Sequence, residues 1–241
     1  MCLYVFGLGV FLVNFDFHIH THYSRDSTIN PRKIIKVAKN NGLDGIAITD
    51  HNTIKGGLEV AKLNNLDDFS VLVGAEIKTP LCEITGLFLN EEISTNDPFC
   101  VIDEIKDQGG ITILPHPFRA SFISHLDTQD KISLNLVKMV DAIEVFNSRT
   151  GSVYNEKALL LASKMNKPMV AGSDAHFYPE VGTVSVTIPS FENMDRLKEK
   201  ILAGKTMIEK NTYSSLTLYY QFLSFIYNRV RKMETILQKI I

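Results

Sequence analysis

The segment FDFHIHTHYSRDS, residues 15–27, places three of the chain's seven histidines within a few positions of one another, directly after an apolar run. From Val13 to His20 apolar and polar residues alternate, and a period of two is typical of a β-strand. The alternation predicts that Asp16, His18 and His20 share one face of a first strand. Because the H-x-H spacing sends both imidazoles to the same side, one metal ion can bind both rings.

Segments typical of strands and of helices take turns along the rest of the chain. The helix-like segment NPRKIIKVAKNNG has Asn30 as its candidate cap and Gly42 as its stop. Further strands are predicted in LDGIAIT, FSVLVGAEI, LCEITGLFL, ITILPHP, DAIEVFN and KPMVAGSDAH, and further helices near 53–65, 97–110, 130–139, 151–166 and 192–203. Alternation repeated this often favours a closed, parallel α/β barrel over an open doubly wound sheet.

Composition excludes some classes of function. A net charge of −2 gives no long-range attraction for nucleic acid or for acidic membranes, so an anionic substrate needs positive charge supplied locally. Three isolated cysteines argue against a disulfide framework and predict a reducing, cytoplasmic setting. No glycine-rich phosphate loop follows the first strand, which disfavours dinucleotide enzymes and P-loop NTPases.

The chain is predicted to have three parts. Residues 1–13 form an apolar leader of uncertain role, too short to span a bilayer and without the basic segment of a secretory signal. Residues 14–210 form the barrel, and residues 211–241 form a helical extension. The extension has apolar residues at steps of three and four, namely Phe222, Ile226, Val230, Met233, Leu237 and Ile240. Such a stripe packs on its own domain or on a sister subunit, or else lies on a membrane.

Polar residues with metal-binding side chains stand where successive predicted strands end. They are His18 and His20, Asp50 and His51, Glu76, His116, Glu144 and Asn147, and Asp174 and His176. In a parallel barrel the carboxyl ends of all strands meet at one mouth, so these side chains are expected to converge. A lone histidine is more often structural, but imidazoles and carboxylates repeated at successive strand ends indicate a site for Zn²⁺, Mn²⁺ or Fe²⁺.

The motifs HIHTHYSRDS, ITDHN, GAEI, LPHP and GSDAH, in this order, resemble those of the polymerase and histidinol phosphatase (PHP) family of metal-dependent phosphoesterases. The resemblance covers about residues 14–210. It implies a distorted (β/α)7 barrel, similar to a TIM barrel, that holds two or three divalent metal ions.

The resemblance also implies a role for each matching residue. It implies that His18, His20 and Asp174 bind the first ion. Glu76 is shared between the first and the second ion, and His116 binds the second. The implied ligands of the third ion are Asp26, His51 and His176. Many relatives have a further histidine where this chain has IEVFNSR. Either Glu144 or Asn147 takes that place, or the position is left to water. Asp50 is expected to orient a histidine instead of binding metal.

The reaction implied by the resemblance is hydrolysis of a phosphate ester by attack of a metal-bridging hydroxide on phosphorus, with Glu76, Asp174 and His176 in the catalytic machinery. Arg119 in HPFR and Arg149 in NSRT each follow closely on a predicted site residue. The two arginines are predicted to clamp the phosphoryl group; the alternative is that they form surface ion pairs. The expected substrate is a small phosphorylated metabolite or a nucleotide.

Three other functions remain open at this point. A 5′–3′ exonuclease or oligonucleotide-processing enzyme would stack bases on residues such as Phe118 or Phe177, although the acidic balance disfavours it. A non-catalytic accessory module conflicts with the nearly complete ligand set. An amidohydrolase often uses a carboxylated lysine where this chain has Glu76. No stable nucleic-acid partner and no membrane partner are expected, and self-association through the C-terminal helix is left open.

Overall fold

The computed structural model describes residues 11–119, 131–210 and 217–240. The strands are β1 (Leu12–Ile19), β2 (Gly45–Ile48), β3 (Ser70–Lys78), β4 (Glu83–Leu87), β5 (Ile111–Leu114), β6 (Ala142–Asn147), β7 (Met169–Gly172), β8 (Val184–Pro189) and β9 (Met207–Lys210). The helices are α1 (Pro31–Asn40), α2 (Lys55–Leu63), α3 (Pro98–Asp107), α4 (Lys131–Met139), α5 (Ser152–Met165), α6 (Met194–Leu202) and α7 (Thr217–Ile240). A single 3₁₀ turn spans Tyr178–Glu180. Most of the apolar leader, residues 1–10, lies outside the described residues, and β1 begins two residues before the predicted domain boundary.

Short-range signals in the sequence explain where the helices begin and end. The Asn30 side chain accepts a hydrogen bond from the backbone N–H of Arg32 at 2.9 Å, and Pro31 occupies the first turn of α1. Gly42 follows the helix with φ +76°, a left-handed conformation that glycine adopts without steric cost. Asp97 caps α3 in the same way by accepting hydrogen bonds from two backbone N–H groups.

The described strands form one sheet in the order β7-β6-β5-β4-β3-β2-β1-β8-β9. Strands β1, β2 and β3 run parallel, as do β5, β6 and β7, while β4 lies antiparallel between the two sets. The sheet curls until the end of β7 returns to β1, where the His20 N–H donates to the Ala175 carbonyl at 2.9 Å. The prediction of an α/β barrel with a C-terminal helix is therefore confirmed, and the parallel strands end at a common mouth.

The antiparallel β4 departs from the predicted parallel order, and two further features of the sheet differ from the sequence interpretation. Strands β8 and β9 were not predicted; β8 runs antiparallel to β1, and β9 runs antiparallel to β8. The register of β1 against β2 also shifts between Asp16 and Ile19 at a β-bulge, which interrupts the predicted alternation. As a result Asp16 does not join the histidines. Its carboxylate instead accepts hydrogen bonds from the backbone N–H groups of His18, Ser173 and Gly182.

Apolar packing supports the strand that carries the histidine pair. The rings of Phe15 and Phe17 stack with their centroids 5.6 Å apart, and both are buried. They share an apolar cluster with Leu72 of β3 and Val186 of β8, and this packing holds β1 in place.

Among the described helices, none has both the length and the hydropathy that a bilayer crossing requires.

Candidate metal centre

The two histidines at the end of β1 face each other. Their Nε2 atoms lie 3.0 Å apart, and both side chains are buried. His18 Nδ1 lies 3.0 Å from Glu144 Oε1, and because a carboxylate only accepts hydrogen bonds, this nitrogen carries the proton. The arrangement leaves the Nε2 of His18 as a bare lone pair that points toward its neighbour.

A second hydrogen-bonded chain fixes the tautomer of His20. The Asp50 carboxylate accepts hydrogen bonds from the backbone N–H and the hydroxyl of both Thr21 and Ser24. Because the Ser24 hydroxyl donates to Asp50, it accepts from His20 Nδ1 at 3.1 Å. His20 Nε2 is therefore also bare. Two lone pairs 3.0 Å apart repel unless a proton or a metal ion lies between them. Asp50 thus acts on the site through Ser24.

Glu76, at the end of β3, lies between two sets of imidazoles and is only 1% exposed. Its Oε1 is 2.9 Å from His116 Nε2 and 3.6 Å from His18 Nε2. Its Oε2 is 3.0 Å from His51 Nδ1 and 3.4 Å from His20 Nε2. A carboxylate so placed can bind two cations, one through each oxygen.

Asp174, after β7, and Asp26, in the loop after β1, complete the acidic part of the site. Asp174 Oδ1 is 3.2 Å from His20 Nε2. Asp26 Oδ2 is 3.5 Å from His51 Nε2 and 3.4 Å from His176 Nε2. His176 Nδ1 donates to the Asp174 backbone carbonyl at 2.7 Å, which leaves its Nε2 free to bind a metal.

Four groups of side chains have ligand atoms within 4.8 Å of one another. The groups are His20, His51 and His176; His18, His116 and Asp174; His18, His20 and Glu76; and His51, Glu76 and Glu83. Every residue predicted to bind metal, Glu144 excepted, is either in one of these groups or, as with Asp26, in contact with two of their members. Residues far apart in sequence therefore converge at the mouth.

Glu144 and Asn147, the two candidates for the further ligand position, contact neighbouring residues. Glu144 Oε1 accepts from His18, and its Oε2 accepts from the His116 backbone N–H at 2.8 Å and from Asn147 Nδ2 at 3.1 Å. The Asn147 amide oxygen accepts from the Arg149 backbone N–H. Both side chains therefore position their neighbours in this structure, and the assignment of Glu144, Asn147 or water to the further ligand position stays a prediction.

Glu83, a potential ligand, was missed by sequence reasoning. It is the first residue of β4, and it pairs across the β3–β4 hairpin with Lys78. An antiparallel strand begins at the mouth where the parallel strands end, so Glu83 reaches to 3.8 Å from His116 Nε2. Burial and the nearby charge of Glu76 raise the pKa of Glu83. An acid at the start of a strand that follows a tight hairpin was the available signal.

Backbone strain is concentrated at the mouth. Asp174 has φ +56° and His116 has φ +26°, both in the left-handed region that glycine favours. Such conformations cost about 1–3 kcal/mol in other residues and persist where the surroundings fix them. Here the Asp174 N–H donates to the His18 carbonyl at 2.8 Å, and the His116 N–H donates to Glu144. Strain of this kind is typical of functional sites.

The protonation pattern fits a site built for positive charge. Burial disfavours a charged His18, but the carboxylates of Glu144, Glu76 and Asp174 outweigh it and raise the pKa of His18 well above its usual value. Burial and its histidine neighbours lower the pKa of His20 to about 3. A proton on His18 Nε2, between the two rings, relieves the repulsion of the lone pairs, and a divalent ion bound there would replace that proton. Divalent ions fit the same donors, since their charge balances the carboxylates and uses both lone pairs.

The mouth opens into a cavity of about 330 Å³. Its lining includes Asp26, His51, Glu83, Arg119, Arg149, Asp174, His176, Gln221, Ser224, Phe225 and Asn228. Arg119 is 33% exposed and donates from Nη1 to Asp174 Oδ2 at 2.8 Å. Arg149 is buried, with its Nε 3.1 Å from Glu180 Oε1 and its Nη2 donating to Ser224. Arg119 is thus the more available of the two predicted clamp residues.

Helix α7 walls this cavity through its polar face. Gln221 donates to the Arg149 carbonyl, Arg231 Nη1 donates to the His22 carbonyl at 3.1 Å, and the ring of Tyr220 stacks on Phe177. The predicted apolar stripe faces away from the barrel. Phe222, Ile226, Val230 and Met233 are 59%, 41%, 47% and 63% exposed. In the described part of α7 the stripe therefore does not pack on the chain's own barrel, and of the three predicted packing partners this one is wrong.

Sequence comparisons connect this geometry to known proteins. A family model described as PHP-associated (PHP_C) matches residues 153–206. An uncharacterized protein of Methanocaldococcus jannaschii, MJ1587, is 43% identical over 153 residues, which cover 58% of this chain and 86% of that protein. Another from the same organism, MJ0417, is 33% identical over 222 residues, which cover 83% of this chain and 86% of that protein.

Solved structures share the fold. A two-domain protein from Bacteroides vulgatus, described as containing a predicted PHP-like metal-dependent phosphoesterase, has a TM-score of 0.71 at 19% identity; the match covers 83% of this chain and 65% of that chain. An amidohydrolase from Chromobacterium violaceum with bound sulfate has a TM-score of 0.57 at 14% identity; the match covers 82% of this chain and 98% of that chain. Together, these similarities identify a PHP-associated segment at residues 153–206, relate the chain to MJ0417 along most of its length, and show that its barrel shares the fold of PHP-like proteins.

Proposed function

We propose that the chain hydrolyses a phosphate ester of a small metabolite or a nucleotide at this site, with two or three divalent ions, Zn²⁺, Mn²⁺ or Fe²⁺, as cofactors. The observation that carries the proposal is the pair of bare imidazole nitrogens of His18 and His20, 3.0 Å apart and next to Glu76 and Asp174. Divalent ions at such ligands supply positive charge and ionise water near neutral pH.

The protein's own residues hold and orient this chemistry. Burial opposes ionisation of Glu76 and Asp174, but nearby cationic groups, with Arg119 first for Asp174 and His18 first for Glu76, keep the pKa of each carboxyl well below its usual value. Both therefore stay anionic across the neutral range and retain cations there. Glu144 and Ser24 hold the two imidazoles of β1 in the tautomers that metal binding needs.

Arg119 is the residue best placed to bind the phosphoryl group. One arm of its guanidinium contacts Asp174, and its partly exposed side chain lines the cavity. A guanidinium can bind two phosphoryl oxygens at once and stabilise the charge on them during in-line displacement. Arg149 contacts Glu180 and Ser224, so its role in this proposal is to hold α7 against the mouth.

The shape of the cavity favours a small substrate over a polynucleotide. Helix α7 closes one side, and the volume of about 330 Å³ lies at the low end of the range usual for small-molecule sites. An exonuclease needs an open basic groove for its strand. Here α7 presents the neutral polar groups of Gln221 and Asn228 to this cavity, and these groups are suited to hydrogen bonding with the leaving group of a small ester. Three basic residues, Arg25, Lys78 and Lys232, line a neighbouring cavity of about 640 Å³ at the same mouth, so the screen of substrates below includes oligonucleotides.

Replacing Arg119 with alanine is expected to lower kcat/KM for a small phosphate ester about 10- to 100-fold, the loss expected for a charge-assisted hydrogen bond to a phosphoryl group. Arg119→Lys keeps the positive charge but not the planar pair of N–H donors that can bind two phosphoryl oxygens, so its kcat/KM should lie between those of Arg119→Ala and the parent chain. Steady-state kinetics with metal content measured in parallel tests this prediction. Arg196→Ala, at an exposed arginine of α6, is the matched control. An unchanged kcat/KM for Arg119→Ala would show that this arginine does not bind the phosphoryl group.

A screen of phosphate mono- and diesters with Mn²⁺ and Zn²⁺ tests the proposed function directly. It should include nucleoside 3′,5′-bisphosphates, histidinol phosphate and short oligonucleotides. We expect turnover of a small ester and none of a polymer. Tightly bound metal without turnover of any ester would indicate the accessory role, and turnover of an amide alone would indicate an amidohydrolase.

A further inference from the structure

The outer face of α7 carries apolar side chains that are exposed to solvent in the described part of the helix. Tyr219 is 54%, Ile226 41%, Val230 47% and Met233 63% exposed. The opposite face is engaged with the barrel through Ser224, which accepts a hydrogen bond from Arg149. With 3.6 residues per turn, Ile226 lies about 200° around the helix from Ser224. The polar face therefore packs inward and the apolar face outward.

Seven apolar positions of this helix follow a heptad spacing, and the exposed Phe222 and Phe225 lie beside them. Tyr219, Leu223, Ile226, Val230, Met233, Leu237 and Ile240 are separated alternately by four and three residues. The pattern runs through nearly all of α7, which spans Thr217–Ile240. Such spacing is the signature of helices that pack knobs into holes against another helix. Binding to a membrane surface does not require apolar residues at alternating steps of four and three, so the continuity of this spacing favours a helical partner.

The residues that flank this apolar seam favour a second copy of the chain as that partner. Arg229 and Glu234 stand at opposite edges of the seam, five residues apart. In two parallel helices in register, a residue at one edge of the seam pairs with the residue five positions later in the other copy. Arg229 of each copy would therefore face Glu234 of the other copy, and these two residues have opposite charges. The guanidinium of Arg229 is exposed and lies over the Phe225 ring at 4.7 Å.

We propose that two copies of the chain associate through the outer face of α7 as a parallel coiled coil. The same helix supplies Gln221, Ser224 and Asn228 to the cavity. Association therefore holds the cavity wall in place in both copies. The proposal is independent of the identity of the substrate.

Sedimentation of the full chain from about 1 to 200 micromolar tests the proposal. We expect a dimer whose dissociation constant rises at least about 100-fold in Val230→Asp, because a charge would be buried in the seam without a partner. Leu58→Asp on α2 is the matched control: Leu58 is 45% exposed, against 47% for Val230. This control should not change the dissociation constant. Circular dichroism of both variants would verify that the fold is retained.

Cysteines introduced at neighbouring positions test the orientation. Met233→Cys lies on the seam, and the two copies of this position meet in a parallel pair in register. Lys232→Cys lies beside the seam and should form no more interchain disulfide than the parent chain. The proposal is overturned by a chain that stays monomeric over the whole range, whether or not it binds anionic vesicles. A dimer that Val230→Asp leaves intact, or equal cross-linking at both positions, would overturn it as well.

Discussion

Glu76→Gln is expected to remove at least one tightly bound divalent ion per chain and to lower kcat/KM for a phosphate ester at least about 1000-fold. The change is isosteric, but an amide has no charge to balance two cations, and its NH₂ group would face imidazole nitrogens that need an acceptor or a metal. Glu76 lies within 3.6 Å of His18, His20, His51 and His116, so its replacement affects both sets of imidazoles. Elemental analysis after extensive dialysis, together with steady-state kinetics, measures both effects.

The control for this experiment is Glu209→Gln, the same chemical change at an exposed position on β9. Its metal content and its rate should equal those of the parent chain. A Glu76→Gln chain that keeps both its ions and its activity would mean that this carboxylate does not bridge the site, and the proposed ligand arrangement would be wrong.

Gly172→Ala is expected to destabilise the fold by about 3 kcal/mol and to weaken metal binding, although glycine itself binds no ion. Gly172 is the last residue of β7, and a Cβ atom there would meet the His18 side chain. It would also lie 2.8 Å from the His18 backbone nitrogen and 2.9 Å from Glu144 Oε1. Alanine therefore separates β1 from β7 and breaks the hydrogen bond that orients His18. Thermal unfolding and metal titration measure the two losses.

Gly151→Ala provides the matched substitution, since a Cβ atom there would meet only the Tyr154 ring at an ordinary 3.6 Å. Gly151 precedes α5 with a compatible φ of −61°, so its replacement should change stability by no more than about 1 kcal/mol. Equal stability and equal metal affinity in the two variants would show that the close approach at Gly172 is unimportant.

The barrel could be predicted because its signals are local. Alternation marks β1, short apolar runs such as those of β2 and β5 mark buried parallel strands, and Asn30 and Gly42 mark the ends of α1. The segment that forms β8 also alternates, yet its place beside β1 depends on antiparallel pairing such as that of Val13 with Ile188. Pairing over that separation is a property of the whole sheet. The bulge that removes Asp16 from the histidine face is likewise not visible in a simple alternation.

The site could be predicted in part for the same reason. Side chains at the ends of parallel strands must share a mouth, and the structure does bring His18, Glu76, His116 and Asp174 together. Whether a carboxylate faces a metal or a neighbouring donor depends on distances of about 1 Å, which sequence spacing does not determine. The sequence therefore left Glu144, Asn147 and water as alternatives at one ligand position, and it did not predict that Glu144 accepts hydrogen bonds from His18 and His116.

Helix α7 shows a further limit of sequence patterns. Its amphipathic spacing predicted an apolar face and a polar face, but not which face would pack on the barrel. The usual expectation fails because the mouth is polar. Arg149 there donates to Ser224 of the helix, while Val230 and Met233 stay exposed. The surface against which a helix packs, as much as its own pattern, decides its orientation.

Anomalous X-ray scattering from crystals of the purified chain, recorded at the absorption edges of zinc, manganese and iron, tests the metal centre most directly. We expect a peak within bonding distance of His18 Nε2 and His20 Nε2, and at least one more within bonding distance of Glu76. Crystals grown with these cations that show no peak at the mouth, or show peaks only elsewhere, would contradict this expectation.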